Sequence, residues 1–183
     1  MYGRIGSEIA MKIDRAYFMK TDRLGFSKWS EEDKHLALLL WGNPKVTHFI
    51  SATGRFEVED IENRLRLEIE NEQKYQIQYW PIFHLESGEL VGCCGFRPYK
   101  EGWLEMGFHL RPEFWKKGYG YEAARAAIDY VFTNTSIEGL FAGHHPNNES
   151  SKKLINKLGF TYAFDNLYLP TGLYHPSYEM KRI

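Results

Sequence analysis

Two glycines one residue apart, Gly118 and Gly120, stand where an apolar, strand-like run gives way to an Ala-rich helical pattern. Lys116 and Lys117 come immediately before them. The residue types and their spacing suit an anion. Glycine lets the main chain approach a ligand in conformations other residues avoid. The first N–H groups of a helix have no helical acceptor and lie at the positive end of its dipole. A phosphate is the natural guest of such a turn; the alternative is a plain glycine turn into a helix. Walker A is excluded, because its glycines lie five apart and are followed by Lys and Ser or Thr. The dinucleotide fingerprint is excluded too, because Ala123 and Ala124 stand where its third glycine belongs.

Other reactive residue types are sparse. Cys93 and Cys94 are the only two cysteines and are adjacent in an apolar run, which reads as core and supplies neither a disulfide framework nor a zinc ribbon. His144 and His145 point apart if extended and have no third ligand spaced beside them, so no metal site is expected. Composition narrows the partners further. With 183 residues, 43% hydrophobic, 26% charged and a net charge of -1, the chain suits one domain with a real core and lacks the basic footprint of nucleic-acid binding. No apolar run reaches the length of a membrane span, and the first residues lack the plan of a signal peptide. A reducing cytoplasm is the expected compartment, with neither nucleic-acid nor membrane partners.

The elements that position the glycine turn follow from periodicity. Residues 1–12 show no pattern and read as an N-terminal arm or an oligomer contact, which keeps a homodimer open; a single domain is expected over residues 13–183. Tyr17 to Ser27 suggests a first strand. Ser30 with Glu31, Glu32 and Asp33 opens a helix that Gly42-Asn43-Pro44 stops. Thr47 to Arg55 reads as a loop whose Phe49 and Ile50 either line a substrate entrance or pack beneath the next helix. That helix runs from Val58 to Gln73, with a Glu- and Arg-rich outer face expected in solvent.

The period then changes. Ile77 to Leu85, Leu90 to Phe96 and Trp103 to Leu110 form an antiparallel meander joined at Ser87-Gly88 and Lys100-Glu101-Gly102. A helix from Tyr119 to Phe132 follows, then a buried strand over Leu140 to Gly143. Asn148 caps a further helix that Gly159 ends, and two strands, Phe160 to Leu169 and Tyr174 to Lys181, close the order.

Taken together, these motifs resemble the GNAT superfamily of acyl-CoA N-acyltransferases, and within it the RimJ/RimL-like branch of ribosomal-protein N-terminal acetyltransferases. The resemblance rests on Thr21-Asp22-Arg23-Leu24, Gly88 to Gly92, Glu105 to Leu110, Trp115 to Ala124, Asn148 to Ser151 and Lys157 to Phe160. Trp115 stands where the broad pattern has Gln or Arg, as is common in this branch. Ile155 stands where another GNAT group has a Tyr general acid.

The resemblance implies an α+β fold: a largely antiparallel twisted sheet of about seven strands, splayed between the fourth and fifth and flanked by about four helices. A bulge near Gly107 would help open the splay. Acetyl-CoA is the implied co-substrate. Its pyrophosphate would rest on backbone N–H groups of Lys116, Lys117, Gly118, Tyr119, Gly120 and Tyr121, and its pantetheine arm on the strand at Phe108 and Leu110. Asn148 and Ser151 would lie near the arm and the sulfur. The implied reaction is direct acetyl transfer to an amine, a peptide N-terminus or a small molecule. Glu105, His109, His144 and His145 are candidate bases, and Ser151 is a candidate proton relay to the thiolate. A non-catalytic acyl-CoA-binding module is the other reading. The acceptor would meet residues 29–60 and 164–178, where Phe49, Tyr168, Leu169 and Tyr174 line a groove or belong to the core.

Overall fold

The computed structural model describes residues 15–183; the arm expected over residues 1–12 lies outside them. Eight strands and five helices run in the order β1 (Met19–Lys20), β2 (Leu24–Phe26), α1 (Lys34–Trp41), α2 (Pro44–Thr47), α3 (Val58–Tyr75), β3 (Tyr79–His84), β4 (Leu90–Lys100), β5 (Trp103–Leu110), α4 (Tyr119–Asn134), β6 (Gly139–Gly143), α5 (Glu149–Leu158), β7 (Thr161–Tyr168) and β8 (Leu173–Lys181). The strands form one sheet in the order β1-β2-β3-β4-β5-β6-β8-β7. Every pairing is antiparallel except that between β5 and β6.

The differences from expectation are local. The first strand is a small hairpin, closed by Thr21 N–H donating to Leu24 C=O at 2.9 Å, which brings the strand count to eight. Pro44 both follows the end of α1 and starts α2, where a loop was expected soon after; Asn43 caps the new turn by accepting from Lys45 N–H at 3.0 Å. No bulge occurs at Gly107. Its strand stays in register with β4 from Gly92↔Leu110 to Pro98↔Leu104, and the irregularity falls beyond, between Pro98 and Lys100. Gly107 serves clearance instead: a Cβ there would lie 2.3 Å from the Tyr79 ring.

Two cores sandwich the sheet. On one face the small side chains Ala123, Ala124 and Ala127 let α4 approach closely, and they pack with Ile155 and Leu158 of α5 against Trp80, Phe96, Leu104 and Met106. On the other face Leu40, Trp41, Ile61 and Leu65 of α1 and α3 cover Tyr79, Phe83 and Leu90. The adjacent cysteines part company across the sheet, Cys93 into the second core and Cys94 into the first, as strand alternation requires. Burial raises both thiols far above the usual range, so neither is a ready nucleophile.

The inward stripe of α3 also carries a charge. Glu68 is fully buried, on the same stripe as Ile61 and Leu65. Its Oε2 accepts from Tyr79 N–H at 2.7 Å, and its Oε1 takes Arg97 Nη2 and lies 3.5 Å from Arg64 Nε. The adjoining Gln78 side chain bridges Glu68 C=O (3.0 Å) and Trp29 N–H (2.8 Å). One carboxylate therefore ties α3, β3 and β4 together. Removing one partner of a buried ion cluster strands the others, so Glu68→Ala should lower the unfolding free energy by about 3–5 kcal/mol in urea titration. A loss below about 1 kcal/mol, the size of an exposed pair, would contradict this account.

Candidate functional site

β5 and β6 pair only at Trp103↔Gly139, Leu104↔Leu140 and Glu105↔Phe141. Beyond Glu105 the two strands separate, while β5 runs on to Leu110. Arg111 N–H donates to Val91 C=O on β4, and backbone direction alternates along a strand. The N–H and C=O groups of Phe108 and Leu110 therefore point away from β4, into the opening. The side chains of these two residues lie on the α4 face, partly buried against that core.

The glycine turn sits at the mouth of this opening. Gly118 holds a left-handed conformation (φ +83°) as the N-cap of α4, and the first helical bond is Glu122 N–H to Gly118 C=O at 3.1 Å. The N–H groups of Tyr119, Gly120 and Tyr121 precede that bond and face outward from the helix end. A Cβ on Gly120 would lie 3.2 Å from Leu154 and 3.4 Å from Leu110, so the absent side chain lets α4, α5 and β5 converge. Lys116 is left-handed as well (φ +59°). Lys117 Nζ is tied to Glu113 C=O at 2.8 Å, and Trp115 Nε1 donates to Leu110 C=O at 2.8 Å, locking the loop to the end of β5.

Two residues with no assigned role in the sequence reading brace this loop from below. Arg23 Nη1 donates to Lys117 C=O at 3.0 Å, and its guanidinium lies over the Tyr119 ring, 4.1 Å from the centroid. Glu122 in the first turn of α4 accepts from Thr21 Oγ1 (2.6 Å), Arg23 N–H (2.9 Å) and Arg23 Nε (2.6 Å). Burial alone would raise the Glu122 carboxyl, but these hydrogen bonds outweigh it and hold it below the ordinary glutamate value. The signal was present in the motif that begins at Thr21; its partner ninety-nine residues away was not.

Asn148 caps α5, its side-chain oxygen accepting from Ser151 N–H at 3.1 Å, which leaves the amide nitrogen and the Ser151 hydroxyl for other partners. Ile155 is buried at 1% exposure, so that helix position presents no acid.

The opposite face of β5 carries the titratable groups. Glu105, Gly107 and His109 share it, opposite Arg97, Gly95 and Cys93 of β4. Arg97 and Arg64 lie 4.4 Å and 5.5 Å from the Tyr79 ring centroid. Burial pushes the Glu105 carboxyl above its usual value, and the two guanidiniums only partly offset that. His109 is held well below its usual value by burial and then by Arg64 and Arg97. Its Nδ1 accepts from Trp41 Nε1 at 3.1 Å, so the neutral ring carries its proton on Nε2 and has no free lone pair. Glu105 and His109 are four residues apart, about 13 Å along an extended strand, and do not share a proton acceptor.

His144 is buried and occupied, with Nδ1 2.8 Å from His145 C=O and Nε2 3.3 Å from Tyr178 Oη. His145 lies beside Phe49, with ring centroids 5.0 Å apart. Tyr168, Leu169 and Tyr174 are exposed on the β7–β8 hairpin, at 40%, 82% and 62%. Among the described residues no group of three metal-ligating side chains is placed to hold an ion, and no helix is long and apolar enough to cross a membrane.

Comparison with known proteins agrees with this geometry. The family described as "Acetyltransferase (GNAT) domain" matches residues 23–161. An uncharacterized N-acetyltransferase, p20, of Bacillus licheniformis is 30% identical over 142 residues, covering 76% of this chain and 80% of its own. A solved GNAT-family acetyltransferase of Bacillus anthracis superposes with a TM-score of 0.76 at 23% identity, covering 89% of this chain and 97% of its own. RimL, a ribosomal L7/L12 α-N-protein acetyltransferase solved with coenzyme A, superposes with a TM-score of 0.75 at 15% identity, covering 88% and 95%.

The brace beneath the loop has a pH signature. A carboxyl whose folded pKa is depressed contributes stability above its unfolded pKa and loses it as pH falls through the folded one. Glu122→Gln should therefore destabilise the protein at pH 7, with the difference from the parent shrinking as pH drops below the ordinary glutamate range. Amide hydrogen exchange over residues 116–121 should accelerate in the same variant. Equal thermal melting of both proteins at pH 7 would remove the brace from the account.

Proposed function

The chain belongs to the GNAT acetyltransferase family, and from that premise we propose that it transfers an acetyl group from acetyl-CoA directly to a primary amine while both are bound. One observation carries the reading: the strands part after Glu105↔Phe141, leaving the Phe108 backbone and the Leu110 N–H open beside the free N-terminus of α4. An extended amide-bearing arm pairs with such a backbone as an added strand does, and a pyrophosphate fits the turn at Gly118 and Gly120. The Cβ clearances at Gly120 fit this use, because a side chain there would crowd Leu154 and Leu110 where the arm must pass.

Bound acetyl-CoA supplies an activated acyl group; this chain's residues hold and discharge the reactants. The N–H groups from Lys116 to Tyr121 bind the pyrophosphate. Phe108 and Leu110 offer main-chain donors toward the arm and the acetyl oxygen, where negative charge grows during attack. The amine nitrogen forms its bond to the acetyl carbon as the carbon–sulfur bond breaks. Glu105, at the apex of the opening, takes the proton the amine gives up, directly or through a water, and its raised pKa brings it closer to a useful base strength. Ser151 relays a proton to the departing sulfur. His109 shapes the floor without accepting a proton while Trp41 occupies its Nδ1.

These roles have measurable consequences. Saturating acetyl-CoA should raise the melting temperature, and Gly118→Pro or Gly120→Val should abolish the shift; an unchanged melting temperature for the parent protein would remove CoA binding altogether. Glu105→Gln should keep the shift and lower kcat about 10²–10⁴-fold, the usual contribution of a positioned base. Steady-state CoA release separates an enzyme from a module that only binds acyl-CoA.

A further inference from the structure

Three segments remote in sequence meet at the open end of the β5/β6 wedge. Phe49, just after α2, meets His48 edge-on (centroids 4.5 Å apart) and His145 at a tilt (5.0 Å), the latter two residues beyond β6. His145 in turn faces His175 of β8 at 5.5 Å, and His175 faces Tyr168 of β7 at 4.9 Å. Three imidazoles thus converge with two aromatic rings around one mouth.

Among the described residues no acidic side chain forms an ion pair with the cluster. Nor do the three rings form part of a metal-ligating group. The groups facing His145 are His48 and His144, and those facing His175 are His145 and His144; burial and these neighbours lower both rings below the usual histidine value. His144 is spent on Tyr178 and on the chain itself. His145 Nδ1 accepts from Asn147 N–H at 3.2 Å, which leaves an N–H on Nε2. Thr171 Oγ1 donates to Tyr168 C=O at 3.2 Å, so the His175 ring donates to that hydroxyl through Nε2 at 3.3 Å and offers a second N–H, on Nδ1, once protonated.

We propose that the acceptor amine belongs to a molecule bearing an oxyacid anion, and that His48, His145 and His175 receive that anion at the wedge mouth with Phe49 and Tyr168 flanking it. This rests on the acetyl-transfer reading above and names its substrate class. An anion there favours the protonated forms of His145 and His175 and so takes up protons as it binds, which makes its advantage grow as pH falls. An uncharged acceptor gains nothing from the cluster.

The test uses acceptor pairs that differ in one ionised group, with CoA release as the readout at pH 6 and pH 8. Phenylalanine against its amide, and an Ala-Glu against an Ala-Gln dipeptide amide, probe a carboxylate. Phosphoethanolamine against ethanolamine probes a phosphate. The Ala-Glu and Ala-Gln amines titrate alike; for the other two pairs kcat/KM is referred to the free-amine fraction at each pH, so that the ratio isolates the anion. In at least one pair the charged member should lead by tenfold or more at pH 6. That lead should shrink severalfold by pH 8 and fall toward unity in both His145→Gln and His175→Gln, each checked for folding by its acetyl-CoA thermal shift. Whichever class of pair shows the effect identifies the anion. Turnover in which neutral acceptors equal or surpass their charged partners, or a preference that survives both substitutions, overturns this proposal and leaves acetyl transfer standing. An acetyl-CoA thermal shift with no CoA release from any acceptor overturns both.

Discussion

Three residue pairs of parallel ladder between β5 and β6 are the constraint from which the site follows. A parallel pair needs a crossover, and here the crossover is the glycine turn and α4. The chain that makes the opening is therefore the chain that lines it. Pairing stops at Glu105↔Phe141, so the N–H and C=O of Phe108 and the N–H of Leu110 stay free on one side. The helix end at Gly118 then lies beside those groups because the connection starts from the end of β5. Trp115, donating to Leu110 C=O, fastens the two parts of this arrangement to each other.

Beneath the sheet the same strand meets a different problem. Arg64, Arg97, Glu68 and Glu105 occupy an apolar face between α3 and β5, and only Glu68 has a full set of partners. The Nε atoms of Arg64 and Arg97 are buried without a hydrogen-bond acceptor among the described residues, although Arg64 Nε is within ion-pair reach of Glu68. Incomplete pairing costs stability. Burial raises the Glu105 carboxyl in spite of both guanidiniums, while His109, buried beside the two cations and held by Trp41, stays neutral.

Much of this was legible in the residues. The glycine turn, the Asn148 cap, the Gly159 stop and the three-strand meander all rest on local rules, and each lies where those rules put it. What escaped depends on distance in the chain or on the identity of a buried partner. Glu68 sits in phase with Ile61 and Leu65, a sign that its face is inward; the abundance of charge on α3 masked it. Arg23 announces nothing until Glu122 and the Lys117 carbonyl are beside it. Gly107 suggested a bulge, yet the reason for it is Tyr79 on another strand.

The ladder between β5 and β6 joins residues 103 and 139, whereas β3, β4 and β5 pair through turns of a few residues. Loop-closure entropy sets the order of events in a folding chain. The meander can assemble from near neighbours, while the pairing that defines the opening waits for the whole crossover to condense. The β5–β6 seam is held by three pairs at one end only, against seven or more between β4 and β5. The element that organises the site is thus placed among the last to form, and a ligand that bridged it would act as a late-fitted staple.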